Sequence, residues 1–150
     1  MIKLIRTDFK HPDFMSLVNY LDKELAVRDG DDTAFYSQYN GIEDIKYAVV
    51  AYWDNKPVGC GAIKHFDDDS VEIKRMFTLE ESRGKGIASL ILRDLEVWTK
   101  ELNYKKCVLE TGKRNPEAVA LYTKKGYSRI PNYDPYIGVD NSLCFEKIVS

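Results

Sequence analysis

The sequence lacks the cysteine and histidine patterns that mark disulfide frameworks and metal sites. Its 150 residues include three cysteines, Cys60, Cys107 and Cys144, and two widely separated histidines, His11 and His65. The cysteine count is odd, no Cys-x-x-Cys occurs, and each cysteine lies in an apolar, strand-like stretch. Cysteines in such a pattern are usually buried thiols rather than ligands or disulfide partners. We therefore expect three reduced thiols and no metal ion.

A basic excess and a long apolar run are also missing. The net charge is −2, from 22 basic and 24 acidic residues, which disfavours a nucleic-acid partner. No apolar run approaches the ~20 residues of a membrane-spanning helix. The N-terminus, MIKLIRTDFK, lacks the apolar core of a signal peptide. We predict a cytoplasmic protein without a membrane partner.

The first half of the chain predicts one strand, one amphipathic helix and an antiparallel meander. With 44% hydrophobic residues, the sequence suits one folded domain over residues 1–150. Apolar residues at helical spacing predict a helix over His11–Arg28, which Asp29–Asp32 ends. An irregular aromatic segment or short helix follows at Ala34–Asn40. Strands are expected at Ile2–Arg6, Tyr47–Trp53, Val58–His65 and Val71–Thr78, with turns at Asp54–Pro57 and Asp67–Asp69.

The second half predicts two more helices around a parallel strand. Ile87–Leu102 has one apolar face that includes Leu90, and a crossover helix implies that the next strand runs parallel to the previous one. The remaining elements are a strand at Lys106–Glu110, a helix at Asn115–Lys125 ended by Gly126, a short strand at Tyr127–Ile130, a loop at Pro131–Gly138 and a strand at Ser142–Ile148 that closes the sheet. We predict an α+β domain with a mixed, mostly antiparallel sheet and flanking helices.

A glycine-spaced loop, Arg83–Ala88, opens the helix that begins at Ile87. The first amides of a helix lack intrahelical partners, so such a loop is typical of a phosphate site. The spacing excludes a Walker-type P-loop. A dinucleotide fold is disfavoured because Leu79–Ser82 separates strand from glycine, and because the strand carries charged residues at positions that a doubly wound sheet would bury. Another glycine pair, Gly59 and Gly61, lies inside a strand and indicates close backbone packing.

The residues Arg83-Gly84-Lys85-Gly86-Ile87-Ala88 resemble the acyl-CoA loop of the GNAT superfamily of N-acetyltransferases, [Q/R]-x-x-G-x-[G/A]. The segment Asn115–Tyr127 is similar to a second signature of that family, N-x-x-A-x-x-L-Y-x-x-x-G-[F/Y]. A meander precedes the first motif, as in the family. The resemblance covers nearly the whole chain and is densest over Glu72–Tyr127.

The resemblance implies a binding site for acetyl-CoA as acyl donor, without a metal. In the family, this ligand lies where two central parallel strands splay apart, here Val71–Thr78 and Lys106–Glu110. Backbone groups of the first strand would bind the pantetheine arm and loop amides the pyrophosphate, while Arg83 and Lys85 either add charge or are solvated loop cations. The implied cofactor-binding residues are Met76, Phe77, Thr78, Arg83, Gly84, Lys85, Gly86, Ile87, Ala88 and Asn115. Asn115 would also cap its helix.

The resemblance further implies direct transfer of the acetyl group to a primary amine. Tyr122 is the leading candidate to donate a proton to the leaving sulfur, and the alternative is a core tyrosine that packs its helix on the sheet. An ammonium cannot attack, so a base is needed, and Glu72 is the leading candidate. Glu110 is its rival, and ordered water is a third option.

The acceptor is left open between a small molecule and a peptide. Its pocket would be bordered on one side by the loop residues Tyr133, Asp134, Pro135 and Tyr136, and on the other side by Phe35, Tyr36 and Tyr39. The acidic turns at Asp29–Asp32 and Asp67–Asp69 either attract a cationic amine or are solvated turns. A homodimer is common in the family. The alternative function is an acyl-CoA-binding sensor or regulatory module that has lost turnover.

Overall fold

The computed structural model describes residues 1–38, 41–42 and 44–150. The strands in this part of the chain are β1 (Ile2–Thr7), β2 (Tyr47–Trp53), β3 (Lys56–Asp67), β4 (Ser70–Thr78), β5 (Lys106–Gly112), β6 (Ser128–Ile130) and β7 (Ser142–Ile148). The helices are α1 (Pro12–Asp29), α2 (Thr33–Ser37), α3 (Ile87–Glu101) and α4 (Pro116–Lys124), with short 3₁₀ turns at Gly30–Asp32 and Glu80–Ser82.

The strands form one mixed sheet in the order β1-β2-β3-β4-β5-β7-β6. All neighbours are antiparallel except β4 and β5, which are parallel and joined by α3. The predicted fold class is therefore confirmed. The last strand, β7, lies between β5 and β6, an order not specified in the sequence analysis. The long connection after β6 lets the chain return and insert β7 there.

Helices cover both faces of the sheet. On one face, α3 packs Ile87, Ile91 and Leu95 against the strands, in the larger core cluster. On the other face, α1 buries Phe14 and Leu17 in a second cluster. The three long helices are confirmed within one residue at their ends. The segment Ala34–Asn40, expected to be irregular or a short helix, overlaps α2 at Thr33–Ser37, and its residues 39–40 lie outside the described part of the chain.

Two local predictions differ from the structure. Leu90 is 42% exposed, because it lies on the flank of α3 outside the stripe that contacts the sheet. The turn between β2 and β3 is only Asp54 and Asn55, both at positive φ, which is the backbone of a two-residue hairpin turn. The following Lys56 and Pro57 already pair with β2.

The central parallel strands separate soon after they begin to pair. Only Ser70–Glu72 of β4 pair with Lys106–Val108 of β5, and both strands continue beyond that point. At the same level β4 contains a bulge, where two residues, Arg75 and Met76, face Gly61 of β3. Arg75 has a φ of 58°, and a bulge of this kind bends a strand and increases its twist. The predicted splayed pair is confirmed, and its backbone edge is open.

Gly61 makes this bulge possible because its position has no room for a side chain. A Cβ there would lie 2.5 Å from the Sδ of Met76 and 2.9 Å from Cγ2 of Ile91. Gly59 is similarly crowded, with Ile91 Cδ1 and the Phe77 carbonyl oxygen at 3.0 Å. The predicted close packing at both glycines is confirmed.

Replacing Gly61 with alanine should destabilise the protein by about 1–3 kcal/mol, because an overpacked core must shift its neighbours. The free energy of unfolding, measured by urea denaturation, checks this. The substitution should cost less in a Met76→Ala background, where the sulfur that crowds the new Cβ is gone. An equal cost in both backgrounds would contradict the crowding by Met76.

Candidate active site

Two cavities meet where β4 and β5 separate. The larger, a groove of about 460 Å³, extends from this point to the glycine loop before α3. The smaller, of about 130 Å³, lies against β5 and α2. The two cavities share one wall, formed by Leu21, Arg28, Met76, Asn115, Ala118 and Tyr122. A long ligand in the groove would therefore present its end to a molecule in the smaller pocket.

The glycine loop forms one end of the groove with an open backbone. Gly84 and Gly86 both have a φ of 80°, and no heavy atom lies within 4 Å of where their Cβ atoms would be. Gly86 caps α3 without a side-chain hydrogen bond to the first amides of the helix. The loop therefore offers main-chain N–H groups and the positive end of a helix dipole to an anion.

The two cations of this loop behave differently. Arg83 lines the groove, donates from Nε to the Thr78 carbonyl oxygen at 2.9 Å, and donates from Nη2 to Glu24 of α1 at 2.9 Å. Lys85 is absent from the described lining, and its Nζ lies 5.2 Å from the centre of the Trp53 ring. The other residues expected to bind the cofactor all line the groove: Met76, Phe77, Thr78, Gly84, Gly86, Ile87, Ala88 and Asn115.

The end of β4 fits an extended polar ligand. Beyond Glu72 its backbone edge toward β5 has no strand partner within the described residues. The Oγ1 atom of Thr78 is buried there and has no hydrogen-bond partner among them either. Orphaned polar groups of this kind are costly unless something binds them. An amide-containing arm running along β4 would supply such partners.

Tyr122 lies in the shared wall between the two cavities. It projects from α4, is 6% exposed, and packs edge-to-face on Tyr127. Burial raises the pKa of its phenol, with a smaller contribution from the charge of Glu110, so the group is protonated at neutral pH. Asn115 accepts a hydrogen bond from the Ala118 amide at 3.3 Å, which confirms the predicted helix cap.

The two candidate bases lie on the same sheet face but in different surroundings. Glu110 of β5 lines the smaller pocket, and burial raises its pKa to about 7, with the charge of Glu72 adding to the shift against a hydrogen bond with Ser142. Glu72 of β4 is not among the described residues that line either cavity. Its carboxylate accepts a hydrogen bond from the Tyr133 hydroxyl at 2.8 Å and lies 3.7 Å from Lys74 Nζ.

Part of the expected acceptor wall is present. Tyr36 of α2 lines the smaller pocket, and its hydroxyl lies 2.9 Å from Ser142 Oγ and accepts from Asn141 Nδ2 at 3.2 Å. Tyr136 stacks on Tyr36 behind this wall. Phe35, Tyr133, Asp134 and Pro135 are not part of the described lining, and Tyr39 lies outside the described residues. Of the acidic turns, only Asp29 reaches the pocket.

Sequence reasoning missed the cations of the smaller pocket. The pocket is lined by Arg28, Lys74, Arg75 and Arg114. The charged pair on β4 was visible in the sequence as an unusual feature of a central strand. The other two come from the end of α1 and from the loop before α4, where Arg28 donates to Glu117 and Arg114 donates to Asp32. The two residues of each pair are more than 80 positions apart in the sequence, so no local sequence pattern predicts their contacts.

The chain belongs to the GNAT acetyltransferase family, whose model matches residues 14–127. An uncharacterized N-acetyltransferase of Escherichia coli, YjgM, is 32% identical over 112 residues, which are 73% of this chain and 66% of that protein. The chain thus matches about two thirds of that relative's length.

Solved structures are similar over the full chain. A protein of Klebsiella pneumoniae has a TM-score of 0.83 at 24% identity and covers 100% of this chain and 99% of its own. A GNAT family acetyltransferase from Elizabethkingia anophelis with acetyl-CoA bound has a TM-score of 0.72 at 20% identity, covering 98% and 97% of the two chains.

None of the helices in residues 1–38, 41–42 and 44–150 is long and apolar enough to cross a bilayer. The same residues contain no group of three or more acidic, histidine or cysteine side chains able to hold a metal ion.

The raised pKa of Glu110 predicts a pH-dependent stability. The pKa of Glu110 is near 4.5 in the unfolded chain and about 7 in the folded protein, so the folded state binds this proton more tightly. The free energy of unfolding therefore decreases as the pH rises from 4.5 to 7. Glu110 should therefore cost the folded state up to about 3 kcal/mol at pH 8 relative to pH 4.5. Urea denaturation at both pH values should show that Glu110→Gln lacks this loss. Equal pH dependence of wild type and variant would contradict the shift.

Proposed function

We propose that the protein is an N-acetyltransferase that transfers the acetyl group of acetyl-CoA directly to a small primary amine. The observation that carries this proposal is the wall shared by the two cavities. A glycine loop with open main-chain amides lies at the far end of one cavity, a carboxyl group of raised pKa lines the other, and a protonated tyrosine lies between them. That arrangement supplies donor binding, a base and an acid in one line.

The groove residues fit coenzyme A. Amides of Gly84, Gly86 and Ile87 would hold the pyrophosphate, the open edge of β4 with Thr78 Oγ1 would bind the pantetheine amides, and Asn115 would contact the ligand near the junction. Acetyl-CoA supplies an activated acyl group as a thioester. The smaller pocket, at about 130 Å³, is below the usual size of ligand sites and favours a small amine over a peptide or a protein surface.

Each proton in the reaction has a residue to receive or give it. Glu110 takes a proton from the acceptor ammonium, so that the nitrogen lone pair becomes available for attack on the thioester carbonyl carbon. As the new C–N bond forms and the C–S bond breaks, Tyr122 donates its phenolic proton to the departing sulfur. The nitrogen loses its second proton as the acetamide forms, and that proton passes through solvent to the Tyr122 phenolate. The products are an acetamide and CoA, and Glu110 releases its proton to solvent.

We assign the base to Glu110 in preference to Glu72, the leading candidate from the sequence. A base works best with a pKa near the working pH and must reach the substrate, and Glu110 meets both conditions. The Glu72 carboxylate is held by Tyr133 and Lys74 outside the described pocket lining. Its position beside Lys74 suits it to stabilise the ammonium form of that lysine.

Direct transfer is favoured over a cysteinyl intermediate. All three cysteines are buried, and burial raises the pKa of Cys60 to about 12 and of Cys107 and Cys144 to about 11. None of them belongs to the described lining of either cavity. A nucleophilic cysteine needs an accessible thiolate of lowered pKa, which is the opposite environment.

Tyr122→Phe should lower kcat by about 100-fold and leave the affinity for acetyl-CoA nearly unchanged, since only the proton donor is lost. The measurement is CoA thiol release over a panel of small amines, with calorimetry for donor binding. Tyr104→Phe, a hydroxyl deletion beside His65 far from both cavities, is the matched control. An unchanged kcat would remove the acid role. If wild type binds acetyl-CoA but releases no CoA with any amine, the protein is a sensor rather than an enzyme.

The dependence of kcat/KM on pH distinguishes Glu110 from Glu72 as the base. In wild type, kcat/KM should rise with pH through an apparent pKa near 7, because Glu110 must be ionised to act as base. Glu110→Gln should lower kcat/KM by about 100-fold and abolish that rise. Measurements with an acceptor whose own pKa exceeds 9 keep the two ionisations apart. If Glu72→Gln removes the rise while Glu110→Gln retains it, the assignment is reversed.

A further inference from the structure

We propose that the acceptor is an amine that also carries a carboxylate, of the amino-acid class, and that Lys74 and Arg75 bind this carboxylate. The inference rests on the proposed function, because it names the substrate class of the same smaller pocket. It follows from the charges that line the pocket, and from a buried donor that lacks a partner.

The bulge in β4 brings both cations into one pocket. Consecutive residues of a regular strand point to opposite faces of the sheet. Arg75 has a φ of 58°, and it shares with Met76 the position opposite Gly61, so the alternation is interrupted at this point. As a result Lys74 and Arg75 both line the smaller pocket.

Arg75, which lines this pocket, has an unused hydrogen-bond donor. Its side chain is only 2% exposed and forms an ion pair with Asp22 of α1 through Nη2. Its Nε atom is buried and has no partner anywhere in the described part of the chain. Leaving a buried donor of a charged group unpaired is costly, and a carboxylate oxygen is the strongest partner that it can find.

Lys74 adds a second, partly buried cation beside it. Burial lowers the pKa of this lysine, and the nearby Glu72 only partly opposes the shift. Glu72 also accepts the hydrogen bond of Tyr133, so its charge is shared between two donors. A further negative charge in the pocket would stabilise the ammonium form of Lys74.

The charged side chains that line the pocket are mostly basic. Among the described lining residues, four lysine or arginine side chains face two carboxyl groups, Asp29 and Glu110. Burial raises the pKa of both carboxyl groups, so Glu110 is partly neutral near pH 7. Asp22, Glu72, Glu117 and Asp32 pair with these cations from outside the described lining, so the charged side chains that an acceptor can touch are mostly basic.

The two charges of an amino acid match the two sides of the splay. Its ammonium would face Glu110 on β5, where it is deprotonated, and its carboxylate would face the cations on β4. Asp22 and Glu72 already balance much of the charge of Arg75 and Lys74. The positive charge that remains unbalanced suits a ligand group with one negative charge. A carboxylate has one, whereas a phosphate dianion has two.

Matched ligand pairs test the inference without depending on turnover. Calorimetry would compare several N-acetyl-amino acids with their uncharged N-acetyl-amino acid amides, each added to the protein saturated with CoA. The acid of at least one pair should bind at least about tenfold more tightly than its amide, as expected for charge-assisted hydrogen bonds. Amides that bind as tightly as their acids in every pair would overturn the proposal, as would the absence of binding by every ligand.

Variants assign the effect to the two cations. Lys74→Gln should weaken binding of the preferred acid about tenfold and change binding of its amide by less than about twofold. Arg75→Lys keeps the charge near Asp22 but removes the Nε donor, and it should weaken the acid several-fold while preserving the fold. Lys3→Gln, an exposed lysine on β1 at the far edge of the sheet, is the matched control. Acid binding that survives both pocket variants would overturn the assignment.

The same experiments distinguish failure of this inference from failure of the proposed function. CoA release from acetyl-CoA would be measured with free amino acids and with their amides. Selective binding of N-acetyl-amino acids without CoA release from any acceptor would refute the transferase and leave the carboxylate site supported. CoA release that is equally efficient with amides and acids would support the transferase and refute the carboxylate site.

Discussion

The separation of β4 from β5 beyond Glu72 is the constraint on which the candidate site depends. A parallel ladder that continued past Val108 would use the amides of both strands and leave no space between them. The bulge at Arg75 turns β4 away instead, and the partner strand accommodates it because Gly61 has no side chain in the way of Met76. The groove, the smaller pocket and their shared wall therefore all depend on the absence of a side chain at one glycine of β3.

Burial then gives opposite chemical roles to two groups at this junction. In Glu110, it raises the pKa from that of an ordinary carboxyl group to about 7, so the group can both gain and lose a proton in a neutral solution. In Tyr122, it raises the pKa further above neutrality, so the phenol keeps its proton until a strong base develops nearby. Because the larger contribution to both shifts is loss of water, the packing of α4 and α2 over the strands matters as much to this chemistry as the residues themselves.

Much of the fold could be predicted from local patterns, because hydrophobic stripes and turn residues act over a few positions. The helix from Ile87, the glycine loop before it and the cap at Asn115 are of this kind. The bulge is not, since nothing local marks Arg75 for a positive φ, and its cause lies on another strand. The choice between Glu72 and Glu110 was beyond the sequence for the same reason. Alternation places both on one sheet face, but Tyr133, which holds Glu72, comes from a distant loop whose path no periodicity fixes.

The charged residues of β4 give this strand an unusual role in the sheet. Glu72, Lys74 and Arg75 lie on a central strand, where burial of charge is costly unless each group is paired. Each is paired, with Tyr133, Glu72 and Asp22 respectively, and these partners come from three different parts of the chain. A strand that served only the core would be more stable with apolar residues at these positions. The presence of three charges at the open end of the splay is therefore best explained by a polar molecule that β4 contacts. The same residues that disfavour a doubly wound sheet thus argue for a charged acceptor.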